Sequence, residues 1–429
     1  NLAVLYNSQG KYDQAEPLYL QALELRQRLL GNNHPSVAES LNNLAGLYNS
    51  QGKYDQAEPL YLQALALRQR LLGDNHPSVA ESLNNLAGLY NSQGKYDQAE
   101  PLYLQALALR QRLLGDNHPL IATNLNNLAV IYDSQGKYDQ AEPLYLQALA
   151  LRQHLLGDNH PDVATSLNNL ASLYNSQGKY DQAEPLYLQA LALRQHLLGD
   201  NHPDFTESLN SLALLYHYQG KYDQAEPLYL QALELRQRLL GNNHPSVAES
   251  LNSLALLYHY QGKYEQAEPL YLQALALRQH LLGNNHPSVA ESLNNLAGLY
   301  DSQRKYDQAK SLYLQALELY KRLLGDNHPH VATSLNNLAG LYYSQGKYDQ
   351  AEPLYLQALA LDKRLLGDNH PDVATSLYNL AKLYYSQGLH QRAEFLYSQA
   401  LNICERSLGA NHPNTVRVRE NLANLRDSL

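Results

Sequence analysis

The dipeptide His-Pro recurs at His34, His76, His118, His160, His202, His244, His286, His328, His370 and His412, an interval of 42 residues kept through ten copies without insertion. A chain of 429 residues exceeds the ~250–300 residues at which a single hydrophobic core stops growing. A fixed period of this size means stacked supersecondary units, each burying its apolar face on its neighbours. Residues 1–429 therefore read as one continuous array of about ten 42-residue units, with no linker of different composition to divide it into domains.

Residues 36–77 represent the unit, which holds two helical patterns. Val37, Leu41, Leu44, Ala45 and Tyr48 fall on one stripe of a first helix, A, whose other face carries Glu39, Asn42, Asn43, Gly46 and Asn49. Gly52 and Lys53 break the chain, and Asp55 with Glu58 three residues on predicts a capping box opening a second helix, B. Ala57, Leu60, Tyr61, Leu62, Ala64, Leu65, Leu67, Leu71 and Leu72 form a band too wide for a helix covered on one side, so B is expected against its own A and the neighbouring units. Pro59 is expected near the first turn of B, Gly73 at its end, and Pro77 as the first residue of the next A.

The run Leu41, Leu44, Ala45, Tyr48, Gly52, Tyr54, Ala57, Tyr61 and Ala64 resembles the tetratricopeptide repeat signature of alternating small and large residues. LNNLA at Leu41–Ala45, AEPLY around Glu58–Tyr61 and GDNHP at Gly73–Pro77 make the unit similar to the kinesin light chain type of that repeat. The resemblance covers essentially the whole chain. It implies an all-α, right-handed superhelical solenoid of antiparallel helix pairs, with the A helices lining a concave surface that binds short peptides. Asn1 aligns with Asn43, so the first A helix is expected to be truncated, and residues 414–429 are expected to form a C-terminal capping helix bearing Arg417, Arg419, Glu420 and Arg426. These features predict a segment of a longer protein and self-association through the exposed first helices.

Composition removes several function classes. One Cys cannot form an internal disulfide. No apolar run approaches the ~20 residues needed to span a bilayer, and residues 1–30 lack the blocks of a signal peptide, so the expected compartment is cytoplasmic. A net charge of −9 speaks against nucleic-acid binding, RNA reading by helical repeats included. A residue repeated in every unit serves what every unit needs, whereas a catalytic constellation is built once, so no enzyme and no cofactor is expected. The loop histidines stand roughly 10 Å apart in neighbouring units, too far to share a zinc ion, and read as groups that fix a loop beside a helix start. Gly46–Lys53 is not a phosphate loop: its spacing differs and it ends in Lys-Tyr. Cys404 stands where Arg68 stands in its own unit and reads as a packing substitution, as most of the 35 Tyr read as core.

The polar face of helix A remains. Asn42, Asn84, Asn126, Asn168, Asn210, Asn252, Asn294 and Asn336 form a ladder, joined by a second at Asn43, Asn85, Asn127, Asn169, Asn295, Asn337 and Asn379. Such amides either hydrogen-bond an extended peptide backbone or bond neighbouring helices and solvent. Differences between units concentrate at the Gly46 and Asn49 positions, and two consecutive units place Leu214, His217 and Tyr218, then Leu256, His259 and Tyr260, together as a candidate side-chain pocket; drift at solvent-facing sites is the competing account. Helix A carries no Lys or Arg before Lys382 within the repeats, while Glu39, Glu81, Glu207, Glu249 and Glu291 lie on its polar face, which favours a neutral or basic peptide over an acidic one. The functional expectation is a non-catalytic scaffold binding a peptide or protein segment in an Asn-lined groove. The alternative is the sensor or regulatory array of a larger signalling protein or enzyme.

Overall fold

The computed structural model describes residues 2–428. The described residues form 21 α-helices and no strand. After a short first helix, Leu2–Ser8, B and A helices alternate: Tyr12–Leu30, Pro35–Ser50, Tyr54–Leu72, Pro77–Ser92, and so on to His390–Ser407 and Pro413–Asp427. Each complete A helix before the last has 16 residues and each B helix before the last has 19.

Both helix starts are visible in the chemistry of the loops. At every A helix from Pro35 on, the preceding histidine is the N-cap. Its Nδ1 accepts the backbone N–H two residues later, as in His34 from Ser36 at 3.1 Å and His370 from Asp372 at 3.0 Å. Proline follows at the first helical position, where its missing N–H costs nothing. The B helices depart from the expected capping box. They begin at the tyrosine, with Lys53 and its equivalents as N-cap and no side-chain cap bond, and Pro59 lies one turn inside the helix. Glu58 reaches forward: its carboxylate accepts from Tyr90 Oη of the next unit at 3.1 Å and pairs with Lys95 Nζ at 3.6 Å. Lys95 also lies over the Tyr90 ring, 5.6 Å from its centre. The same Glu–Tyr–Lys group recurs along the array, from Glu16 with Tyr48 and Lys53 to Glu268 with Tyr300 and Lys305.

The core is a continuous seam between A and B helices. Alanines 57, 99, 141, 183, 225 and 267 are fully buried, which lets the paired helices approach, and Leu47, Leu89, Leu173, Leu215 and Leu257 fill the space beside them. Between units, the buried arginines of B helices brace the following A helix. Arg194, 2% exposed, donates to the Asp204 carbonyl at 2.9 Å and Ser208 Oγ at 2.9 Å, and its charge meets Glu207 at 3.2 Å. Cys404 takes this place in the last B helix, where it is buried and its thiol is pushed up to about 11 by desolvation. Helix Pro413–Asp427 buries Val418, Leu422 and Leu425 and turns Arg419 and Arg426 to Glu405 and Glu394. The last helix, expected over 414–429, spans Pro413–Asp427; residues 1 and 429 fall outside the described residues.

A helices of successive units approach one another more closely than B helices do, which puts the A helices on the inside of the curve. The curvature is tight enough for one turn of the coil to rest on the next. The imidazole Nε2 of His244 lies 3.3 Å from the Ser8 carbonyl and that of His286 lies 3.4 Å from the Ser50 carbonyl, each across 236 residues, between five and six units. A seam thus forms in which the loops of His244, His286, His328, His370 and His412 press on the A-to-B turns at Gly10, Gly52, Gly94, Gly136 and Gly178. These turns need glycine twice over: their φ values run from +64° to +68°, and an added Cβ would come within 3.0 Å of the incoming His-Pro.

Candidate functional site

On the inner face, members of the asparagine ladders bond one another from unit to unit. Asn42 is buried, and its Oδ1 accepts from Asn85 Nδ2 of the next unit at 3.1 Å. Asn127 donates to Asn84, Asn169 to Asn126 and Asn295 to Asn252 in the same way, at 2.7–3.1 Å. Asn294 and Asn336 donate to Ser334 and Ser376 of the following units. Asn168, Asn252 and Asn294 are buried and Asn210 is half-buried. Each ladder amide with such a bond is engaged in holding unit to unit. Asn43 is exposed, whereas its equivalents Asn85, Asn127, Asn169 and Asn295 are half-buried in these bonds.

The acidic ladder is likewise engaged. Glu39, Glu81, Glu207, Glu249 and Glu291 pair with Arg26, Arg68, Arg194, Arg236 and Arg278 of the preceding B helices at 3.2–3.6 Å. Each of these glutamates thus has a cationic partner within the chain, while its own side chain stays about half exposed.

In the two divergent units the residues differ in exposure and contacts. His217 is 6% exposed and packs edge-on to Tyr260 with ring centres 4.9 Å apart, against Tyr222 at 5.7 Å as well. Desolvation pushes its pKa down to about 4, so it is a neutral, packed ring at pH 7. His259 bonds Ser302 Oγ through Nε2 at 2.8 Å, and burial lowers its pKa also. Leu214 and Leu256 are half-buried. The tyrosines beside the histidines carry the open surface: Tyr218 is 55% and Tyr260 63% exposed. A cavity of about 420 Å³ opens next to Tyr218, lined by it together with Leu214, Ser172, Asn175, Tyr180 and His412. It joins the inner face of two consecutive units to the loop of the coil's next turn. Sequence spacing could not show this last partner, because His412 lies more than 190 residues beyond Leu214.

The position of Gly46 varies for a visible reason. A Cβ there would sit 3.5 Å from the Tyr61 hydroxyl, an ordinary contact, so Ser172, Leu214 and Leu256 are admitted without displacing the B helix. No group of three or more His, Cys, Asp or Glu side chains among the described residues is arranged to hold a metal ion. Among the described residues no helix is long and apolar enough to cross a membrane.

Comparisons with known proteins agree with this architecture. The tetratricopeptide repeat family profile matches in overlapping stretches along the chain, at residues 1–69, 36–110, 78–154, 133–196, 162–206, 204–280, 255–322, 288–363 and 330–406. A search of the curated proteins returns no match. Among solved structures, the nearly identical repeats of a kinesin light chain-like protein of Podosopora anserina are 29% identical over 48% of this chain and 97% of that one, with a TM-score of 0.40. BtubC (BKLC) of P. vanneervenii is 26% identical over 57% and 92%, with a TM-score of 0.42. A Rap protein complexed with Competence and Sporulation Factor shares the fold over 91% of this chain and 99% of that one, at 15% identity and a TM-score of 0.58. Arrays of this repeat are protein-interaction scaffolds. With its helix pairs, its 42-residue period and the profile matching from residue 1 to 406, the chain belongs to the tetratricopeptide repeat family.

Proposed function

We propose that this scaffold holds a peptide segment of a partner protein on the inner face of the units spanning Pro203–Tyr218 and Pro245–Tyr260. The observation that carries the reading is the pair of exposed tyrosines, Tyr218 and Tyr260, one unit apart, of which Tyr218 lines a cavity of about 420 Å³. Large aromatic side chains left open to solvent next to a concavity are the common anchors of a binding surface. Leu214 and Leu256 supply apolar floor beside these tyrosines.

The ligand chemistry follows from what is left unpaired. The glutamates already face arginines, so affinity rests on apolar and aromatic side chains of the partner, with its charge secondary. The role is binding without catalysis, since the histidines of this region are packed neutral rings and not poised bases.

Random-peptide display on the purified chain tests the reading. Peptides with a hydrophobic or aromatic anchor should be enriched, and Tyr218→Ser with Tyr260→Ser should remove the enrichment while leaving the helical signal intact. Enrichment that persists in the double variant would place the binding surface elsewhere.

A further inference from the structure

The cavity beside Tyr218 has two walls that belong to different turns of the coil. Ser172 and Asn175 of one unit, with Leu214 and Tyr218 of the next, make the near wall, carried by helices Pro161–Ser176 and Pro203–Tyr218. The far wall is His412, Pro413 and Asn414. This second wall is a fixed piece of structure: His412 Nδ1 accepts from the Asn414 N–H at 3.1 Å, Asn414 Oδ1 accepts from Arg417 Nη2 at 3.1 Å, and Pro413 opens the helix Pro413–Asp427.

All the helices from Tyr222–Leu240 to His390–Ser407 lie between the two walls along the chain. Closely packed helices are near neighbours in the chain, so the walls face each other only through the rotation accumulated from unit to unit. Their meeting point is the turn at Gly178, where the His412 ring leaves no room for a Cβ.

Building on the reading of Tyr218 as an anchor of the binding surface, we infer that a ligand side chain in this cavity is gripped between two turns of the coil, so that binding holds the seam shut at Gly178 and opening of the seam releases the ligand. The basis is differential contact. With the seam open, Leu214 and Tyr218 still offer a surface, but the His412–Asn414 wall has moved away and the ligand area that faced it returns to water. A ligand touching both walls binds the closed coil more tightly than the open one, and by linkage it shifts the coil toward closure by the same factor. Unwinding of the array anywhere between the walls therefore weakens binding at Tyr218 without touching that residue.

The probe is a peptide selected by display on the unmodified chain and shown to need Tyr218. Spin labels at Gln182→Cys and Asn411→Cys, both exposed positions flanking the Gly178 seat, in a Cys404→Ala background, read the distance between the turns by double electron-electron resonance. Gly178→Ala sets a Cβ against the His412 ring, whereas Gly388→Ala meets the same left-handed backbone with nothing within 4 Å. Neither glycine lines the cavity. Gly178→Ala should lengthen the spin distance and weaken the peptide about 10-fold, an ordinary size for coupling between sites. Saturating peptide should shorten the distance again, and Gly388→Ala should match the parent chain in both measurements. A Tyr218-dependent peptide that binds Gly178→Ala as tightly as the parent would overturn the coupling and leave the binding surface standing. So would a spin distance that Gly178→Ala leaves unchanged, or one that saturating peptide does not move. Display that yields no Tyr218-dependent peptide would overturn the binding surface and the coupling with it.

Discussion

Acidification should loosen the coil at its seam, and the geometry sets both the window and the size of the effect. Each seam histidine accepts at Nδ1 from its own helix start, which leaves the proton on Nε2, and in His244 and His286 that proton is directed at a carbonyl of the turn below. Protonation of Nδ1 removes the cap bond and places a charge in a dry contact. Burial pushes the pKa of His286 and His412 down to about 4 and that of His328 to about 3, from the ordinary value near 6.5. The neighbouring charges of Arg278 and Arg417, and the ring of His330, act in the same direction on these three. For His244 and His370 burial also lowers the pKa, with Arg236 adding to it in the first case and Asp372 opposing it in the second.

The sign follows from proton counting. The closed seam binds fewer protons than the open one, so closure is unaffected above about pH 6.5 and is progressively opposed as pH falls toward 4. At pH 5 one histidine with a depressed pKa opposes closure by at most ~2 kcal/mol, and by ~1 kcal/mol once solvent at these part-exposed rings is allowed for. His286, His328 and His412 together add to several kcal/mol, and His244 and His370 act in the same direction. Asp133, pushed up to about 6 by burial, works the other way near Gly136 and offsets part of this as it takes up its proton. Small-angle scattering from pH 7.5 to 5.0 should show a radius of gyration that grows within that window. His286→Asn, His328→Asn and His412→Asn together keep an N-capping side chain and should flatten the change. A radius that stays constant, or that grows equally in the triple variant, would refute the reasoning.

Two further substitutions separate local strain from long-range contact and test the inter-unit brace. Gly178→Ala places a Cβ against His412 at φ +67°, whereas Gly388→Ala meets the same backbone strain, at φ +75°, with nothing nearby. Thermal unfolding should show both destabilised by ~1–2 kcal/mol, with Gly178→Ala also expanding the coil by scattering and Gly388→Ala leaving it unchanged. Arg194→Ala strands the buried Ser208 hydroxyl, while the half-exposed Glu207 carboxylate stays in water, and should cost ~1–3 kcal/mol in denaturant unfolding.

The helix pairs were legible because each is written in local signals: proline after histidine opens A, the left-handed glycine closes the turn into B, and alanine spacing marks the A–B contact. Glu58 misled because the box pattern with Asp55 is local, while the carboxylate's partners, Tyr90 and Lys95, lie in the following unit. The Asn42 ladder was ambiguous for the same reason, since its bond to Asn85 depends on how two A helices lie side by side. Least legible was the seam. It depends on a small rotation per unit accumulated over five to six units, and no sequence motif records that sum. The histidines show the consequence: ten identical His-Pro loops divide into those that face solvent and those that hold one turn of the coil on another.

Photo-cross-linking tests the central claim most directly. A benzophenone side chain placed at Tyr260, on the inner face, and separately at Leu62, a half-exposed leucine of the outer B helices, would be irradiated with peptides selected on the unmodified chain. The account predicts adducts at position 260 and none above background at position 62. Equal labelling at both positions, or labelling at 62 alone, would contradict it.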